Sequence, residues 1–121
     1  MILIDTSIWI DHLRQGSKHS EKLLSEFSIF SHPFIIGELA CGNLRNRQQI
    51  IHLLQELPQA LVASDDEVLK FIDVNHLTGK GLGYVDMHLL ASTKLSGLRI
   101  WTRDRRMKEA AITLDVNWNQ Q

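Results

Sequence analysis

Four acidic residues, Asp5, Glu38, Asp86 and Asp104, occupy places from which side chains far apart in the chain can meet. Asp5 follows Ile2-Leu3-Ile4 directly. Three apolar residues without alternation read as a strand buried on both faces, inside a parallel sheet. The C-terminal end of such a strand opens on the crevice where these sheets bind ligands. A carboxylate there is costly to desolvate unless something positive faces it. Asp104 follows at the end of a second expected strand, Leu98 to Thr102, with Ile100 and Trp101 near its middle. Glu38 and Asp86 lie near the starts of helical stretches, beside Gly37 and shortly after Gly83. Strand C-termini and helix N-termini share one edge of a parallel α/β sheet, so all four acids can reach it.

A cluster of hard carboxylate oxygens suits Mg2+ or Mn2+ rather than zinc. No histidine pair at helical ligand spacing and no cysteine pair offers a zinc site. A divalent ion held this way lowers the pKa of bound water and neutralises charge developing on a phosphoryl group; two ions would clamp the attacking and leaving oxygens. That chemistry asks little of the protein beyond acids, which matches the absence of a nucleophile–base pair. Taken singly, each acid has a plainer role. Asp5 and Asp104 can cap the helices that follow them, and Glu38 and Asp86 can sit at the positive end of a helix dipole. Their conjunction on one edge selects the metal site.

The elements that must position these acids follow from the pattern. Thr6 or Ser7 caps a short helix to about Leu13, ended by Gly16. A second helix covers Ser20 to Glu26, and Phe27 to Phe30 is a weakly alternating strand. Pro33 opens a helix that continues through Phe34 to Cys41. A longer helix runs from about Arg45 to Leu57 and stops at Pro58. Ala60 to Ala63 is a candidate strand. Ser64 and Glu67 have capping-box spacing. They open a helix with Val68, Leu69, Ile72 and His76 inward, ended by Gly79. A helix from about Tyr84 to Leu95, a strand from Leu98 to Thr102, a helix from Arg105 to Ala111, a strand from Ile112 to Val116 and a polar tail complete the chain. Strand and helix patterns alternate throughout. The expectation is one α/β domain over residues 1–121, with a central, mostly parallel sheet of about five strands and helices on both faces.

These residues resemble the PIN-domain family and, within it, the VapC-type toxins of bacterial toxin–antitoxin pairs. The matching pieces are Leu3-Ile4-Asp5-Thr6-Ser7, Ile36-Gly37-Glu38-Leu39, Gly83-Tyr84-Val85-Asp86 followed by Leu89, and Trp101-Thr102-Arg103-Asp104 with apolar Met107. They span essentially the whole chain, and the first and last are the more specific. The resemblance implies that Asp5, Glu38, Asp86 and Asp104 are catalytic, metal-binding acids supported by the hydroxyls of Thr6 and Thr102. It implies Mg2+- or Mn2+-dependent cleavage of RNA and a homodimer. It also implies a cognate antitoxin that inserts a basic segment into the acidic pocket, with operator DNA contacted only through that antitoxin. Many relatives carry another acid two positions after the last one, where this chain has Arg106. The departure bears on a second metal site and leaves the first untouched.

Composition is compatible with this reading. Apolar residues make up 44% of 121, enough for a packed core. The single cysteine, Cys41, forms no internal disulfide. No apolar run reaches bilayer-spanning length and no signal segment precedes the first strand, which points to the cytoplasm with no membrane contact. The formal charge of −1 is not that of a basic nucleic-acid binder, but neutralising the four acids would leave +3. Lys80, Arg103, Arg105 and Arg106 are then candidates for RNA phosphates.

Gly79-Lys80-Gly81-Leu82-Gly83 lacks the Lys-Ser or Lys-Thr ending of a nucleotide-binding loop and reads instead as a mobile turn. His88 is expected on the surface or behind the acids, pointing away from Asp86. His12, His19, His32, His52 and His76 show no partners by spacing. Trp9 and Trp101 are expected in the core or an interface, Trp118 is open, and Cys41 is expected to be buried. A receiver-like phosphoacceptor module competes on length and fold. It wants paired acids at its first strand and a lysine after its last, and this chain has neither. A catalytically inactive interaction module on the nuclease fold is disfavoured by the presence of all four acids.

Overall fold

The first strand, β1 (Ile2–Ile4), is wholly buried and forms the centre of a parallel sheet with β2 (Ile29–Phe30) on one side and β3 (Arg99–Trp101) on the other. The computed structural model describes residues 1–119; Gln120 and Gln121, the end of the expected tail and domain, lie outside the described residues. In register, Leu3 stands opposite Phe30 and Ile100, and Ile4 opposite Trp101. Parallel neighbours need crossovers, and helices supply them. Between β1 and β2 run α1 (Thr6–Arg14) and α2 (Ser17–Glu26). Between β2 and β3 run α3 (Pro33–Cys41), α4 (Arg47–Glu56), α5 (Asp65–Val74) and α6 (Tyr84–Leu95). The chain then enters α7 (Arg105–Thr113).

The sheet has three strands among the described residues, not about five. Each missing strand is a single-residue parallel bridge, Ser31 with Gln59 and Ile100 with Asn117. The run at Ala60–Ala63 touches the sheet only at its start, where Ala60 N–H donates to the Ser31 carbonyl at 2.8 Å. The run at Ile112–Val116 divides. Ile112 and Thr113 finish α7, and Asp115 turns with φ 57° before Val116 accepts from Ile100 N–H at 2.7 Å. Ala110, Ala111 and Leu114 are buried at helical spacing, which places the segment on a helix. A short apolar run does not by itself distinguish the two.

Helix α6 is the interior helix. Met87 through Thr93 are all buried, so it lacks the polar face of a surface helix. Around it and β1 lie Trp9, Ile35, Leu39, Leu54 and Met107, each nearly inaccessible. Helix α5 begins with the expected capping box, Ser64 Oγ accepting from Glu67 N–H at 3.1 Å and Glu67 Oε1 from Ser64 N–H at 2.9 Å. It ends at Val74, ahead of Gly79, because His76 adopts φ 55°. Leu69 and His76 are exposed rather than inward; Val68 and Leu77 are the buried residues here. Trp9 is in the core as expected. Trp101 and Trp118 pack with ring centroids 4.6 Å apart, which gives Trp118 its place. Cys41, at the end of α3, is exposed, not buried.

Candidate active site

Asp5 leaves the sheet where β1 ends. Its N–H donates to the Trp101 carbonyl at 3.0 Å, the last rung between β1 and β3. Beyond that rung the side chains take over. Asp5, rather than Thr6 or Ser7, caps α1, its Oδ1 accepting from Thr6 N–H at 2.8 Å. Its Oδ2 accepts from Thr102 Oγ1 at 2.7 Å and from Ser7 Oγ at 3.1 Å. Only 7% exposed, the carboxylate takes these donors in place of water. Thr102 also accepts from Asp104 N–H at 3.1 Å, and Asp104 Oδ1 caps α7 through Met107 N–H at 2.9 Å. Thr6 Oγ1 donates to Glu38 Oε1 at 2.9 Å. Asp86 Oδ2 accepts from Gly83 N–H at 3.1 Å in the first turn of α6.

The capping roles and the clustering are therefore both present. Capping occupies one oxygen and leaves Asp86 Oδ1 and Asp104 Oδ2 without a hydrogen-bond donor among the described residues. Glu38 Oε2 is equally unbonded. Burial raises the pKa of Glu38, and the charges of Asp5 and Asp86 raise it further against the Thr6 hydrogen bond. Burial likewise raises Asp86, with Asp104 and Asp5 adding to it against the Gly83 hydrogen bond. Each acid thus feels at least one of the others. Among the described residues no lysine, arginine or histidine forms an ion pair with any of the four. Nor do any three His, Cys, Asp or Glu side chains among the described residues stand close enough to enclose an ion as they are. The acids form an open, mutually repelling group rather than a closed cage.

Thr6 and Thr102 each bond one of the acids they were expected to support. Ser7 has a role that spacing did not reveal. It donates to Asp5 and accepts from Arg103 N–H at 3.1 Å, closing the gap between the ends of β1 and β3. The histidines also differ from expectation. His32 is fully buried, with Nδ1 accepting from Phe34 N–H at 3.0 Å and Nε2 lying 3.0 Å from Ser92 Oγ. His88 is buried, not on the surface, and its Nε2 lies 3.0 Å from Asp65 Oδ1, which also accepts from Tyr84 OH at 2.6 Å. A histidine one turn beyond Tyr84 was the available signal; the partner on α5 was not.

The basic candidates sort by what they already hold. Arg103 pairs with Asp11 at 3.2 Å and Arg105 with Glu109 at 3.1 Å. Lys80, Arg105 and Arg106 line a cleft of about 510 Å³ together with Asp104 and Glu109. A larger cleft of about 840 Å³ lies between α1–α2 and the chain around α4, with Leu13, Leu24, Ile50 and Leu53 among its lining residues. It contains none of the four acids.

A family model described as PIN domain matches residues 2–112. The chain is 45% identical over 117 residues to Ribonuclease VapC32 of Mycobacterium tuberculosis, in strains CDC 1551 / Oshkosh and ATCC 25618 / H37Rv, covering 96% of this chain and 94% of each relative. Its backbone superposes on a toxin-antitoxin complex from Klebsiella pneumoniae with a TM-score of 0.63 at 20% identity, over 86% of this chain and 87% of that one. It also superposes on FitAcB from Neisseria gonorrhoeae with a TM-score of 0.61 at 19% identity, over 97% and 95%. At such identities the two structures speak for the fold, while the family match and the VapC32 likeness span nearly the whole sequence. This chain belongs to the PIN domain family.

Proposed function

We propose that this protein is a divalent-metal-dependent endoribonuclease and the toxin of a toxin–antitoxin pair. One observation carries the reading: Asp5, Glu38, Asp86 and Asp104 form an open group with no cation paired to them among the described residues, and burial and neighbouring charge raise the pKa of Glu38 and Asp86. Such a site is short of positive charge, and its oxygen donors suit Mg2+ or Mn2+. The likeness to Ribonuclease VapC32 supports ribonuclease activity, and the fold shared with toxin-antitoxin complexes supports an antitoxin partner. Family membership removes the receiver-like alternative. Among the described residues no helix is long and apolar enough to cross a membrane, and we place the protein in the cytoplasm as a homodimer. Operator DNA would be reached through the antitoxin.

The four acids would hold the ion, Asp86, Asp104 and Glu38 each offering an unbonded oxygen. A divalent ion held there would supply Lewis acidity for water activation and for charge on the phosphoryl group. Asp5 is fixed by Thr6, Ser7 and Thr102, so it sets the position about which the others gather. Thr6 restrains Glu38, and the helix starts restrain Asp86 and Asp104. Lys80, Arg103, Arg105 and Arg106 flank this edge as candidates for RNA phosphates.

The test is cleavage of RNA by purified wild type and Asp86→Asn with manganese, and with chelator as control. Metal-dependent cutting by the wild type and none by the variant is expected. Equal cutting by both would remove the catalytic assignment. No cutting by either, with manganese binding equally poor in wild type and Asp5→Ala, would point to an inactive module.

A further inference from the structure

Of the four cations beside the acids, two are already engaged. Arg103 is held by Asp11 and Arg105 by Glu109, one turn along α7. Arg106 and Lys80 form neither an ion pair nor a side-chain hydrogen bond among the described residues, yet both line the cleft of about 510 Å³. Arg106 lies across Gly81. A Cβ placed on Gly81 would lie 2.7 Å from its Nη1 and 3.0 Å from its Cδ and Cζ. The guanidinium therefore lies against the bare backbone of Gly81, a position whose φ of 77° favours glycine. Gly79 and Gly81 have φ of 74° and 77°, so the chain turns left-handed on either side of Lys80. Asp86 ties the far end of the same loop through Gly83 N–H.

We infer that the cleft between residues 79–83 and the first turn of α7 is a phosphate subsite for the RNA backbone, with Arg106 as its placed donor and Lys80 as a second charge. A guanidinium presents a planar fork suited to phosphate oxygens, and this one has no carboxylate engaging it among the described residues. Lys80 adds a point charge on a flexible stem. Asp104 and Glu109 also line the cleft, but Glu109 is engaged by Arg105 and Asp104 by Met107 N–H. Because Asp104 belongs both to this cleft and to the acid edge, the phosphate held here would flank the one cut there. The inference rests on the nuclease reading and extends it to how the strand is held.

The test measures binding separately from cutting. A labelled short single-stranded RNA is titrated by fluorescence anisotropy, in chelator, across a salt series. The proteins are wild type, Arg106→Gln, Arg106→Lys and, as a surface control on α5, Lys70→Gln. Arg106→Gln is expected to weaken binding roughly three- to tenfold and to flatten log K against log salt by about 0.7. Arg106→Lys should keep the slope and lose part of the affinity. Lys70→Gln should match wild type. Arg106→Gln indistinguishable from Lys70→Gln in both readings would overturn the subsite, as would a wild type that binds no RNA. Cleavage with manganese is run in parallel. Cutting by wild type with an unchanged Arg106→Gln slope sinks the subsite alone; an altered slope without any cutting supports the subsite and sinks the nuclease reading.

Discussion

Helices α3 and α6 meet the rest of the molecule through two polar regions of opposite character. At one, His32 opens α3 and reaches Ser92 on α6, whose Oγ also accepts from Ala63 N–H at 3.1 Å. At the other, Glu38 of α3 and Asp86 of α6 stand at the acid edge. Since His32 Nδ1 accepts from Phe34 N–H, Nε2 carries the proton and donates to Ser92. Burial and the neighbouring His88 charge lower the His32 pKa to about 4, so the imidazole is neutral at pH 7. The joint is dry, uncharged and bonded. The acid edge is partly open, charged and short of donors. A buried polar group without partners costs more than its bond gains, so the joint is closed and neutral. A site meant to take a cation needs oxygens that nothing else has claimed. The same two helices thus carry a brace and a reactive edge.

The sharpest way to separate the two regions is to damage each and measure both outcomes. Asp86→Asn should lower metal-dependent RNA cleavage by at least about 10²- to 10³-fold, below detection, with little loss of thermal stability. A variant that melts far earlier than wild type would show that the edge also braces the fold. His32→Ala should do the reverse in urea denaturation, costing about 2–4 kcal/mol by opening a buried cavity, removing one of the two donors to Ser92 and leaving Phe34 N–H without its acceptor. A loss below half a kcal/mol would end the idea of a brace.

Acid sharpens the contrast further. The folded His32 pKa lies below its unfolded value of 6.5, so unfolding takes up a proton as pH falls. Its contribution is complete above pH 6.5, declines through the window to about 4, and amounts to on the order of 3 kcal/mol when fully lost. His32→Asn, which keeps a capping oxygen, should show a smaller drop in urea midpoint between pH 7 and pH 5 than wild type; equal drops would exonerate His32. Glu38 has the opposite sign. Its folded pKa is raised, so its stabilising share is full below its ordinary 4.5 and is lost as pH rises through the folded value. Glu38→Gln should therefore raise the melting temperature in chelator at pH 7 by about 1–2 °C. A fall would mean that the Thr6 bond to the carboxylate outweighs the repulsion.

Much of the fold could be read because local rules decide it. Pro33 and the Ser64–Glu67 box place helix starts through their own backbone chemistry, and Tyr84 to Leu95 was bounded by glycines on both sides. The sheet edges were not legible. Whether a short apolar run forms a strand depends on a neighbour offering backbone bonds, and among the described residues Gln59 and Asn117 each make a single bridge. Asp5, Asp86 and Asp104 stand at strand ends or helix starts, which a parallel sheet collects on one edge; Glu38, six residues into α3, does not follow from that rule. Ser7, Asp65 and Ser92 could not be placed, because each matters only for the residue it meets across the fold: Ser7 for Arg103, Asp65 for His88, Ser92 for His32.

By itself the sequence determined the α/β alternation and most of the helix starts, since periodicity and capping are written in neighbouring residues. Tertiary structure alone decided which oxygens stay free, which cations are already occupied and which histidine is sealed as a neutral brace. Those depend on burial and on partners many residues away, and no local pattern encodes them.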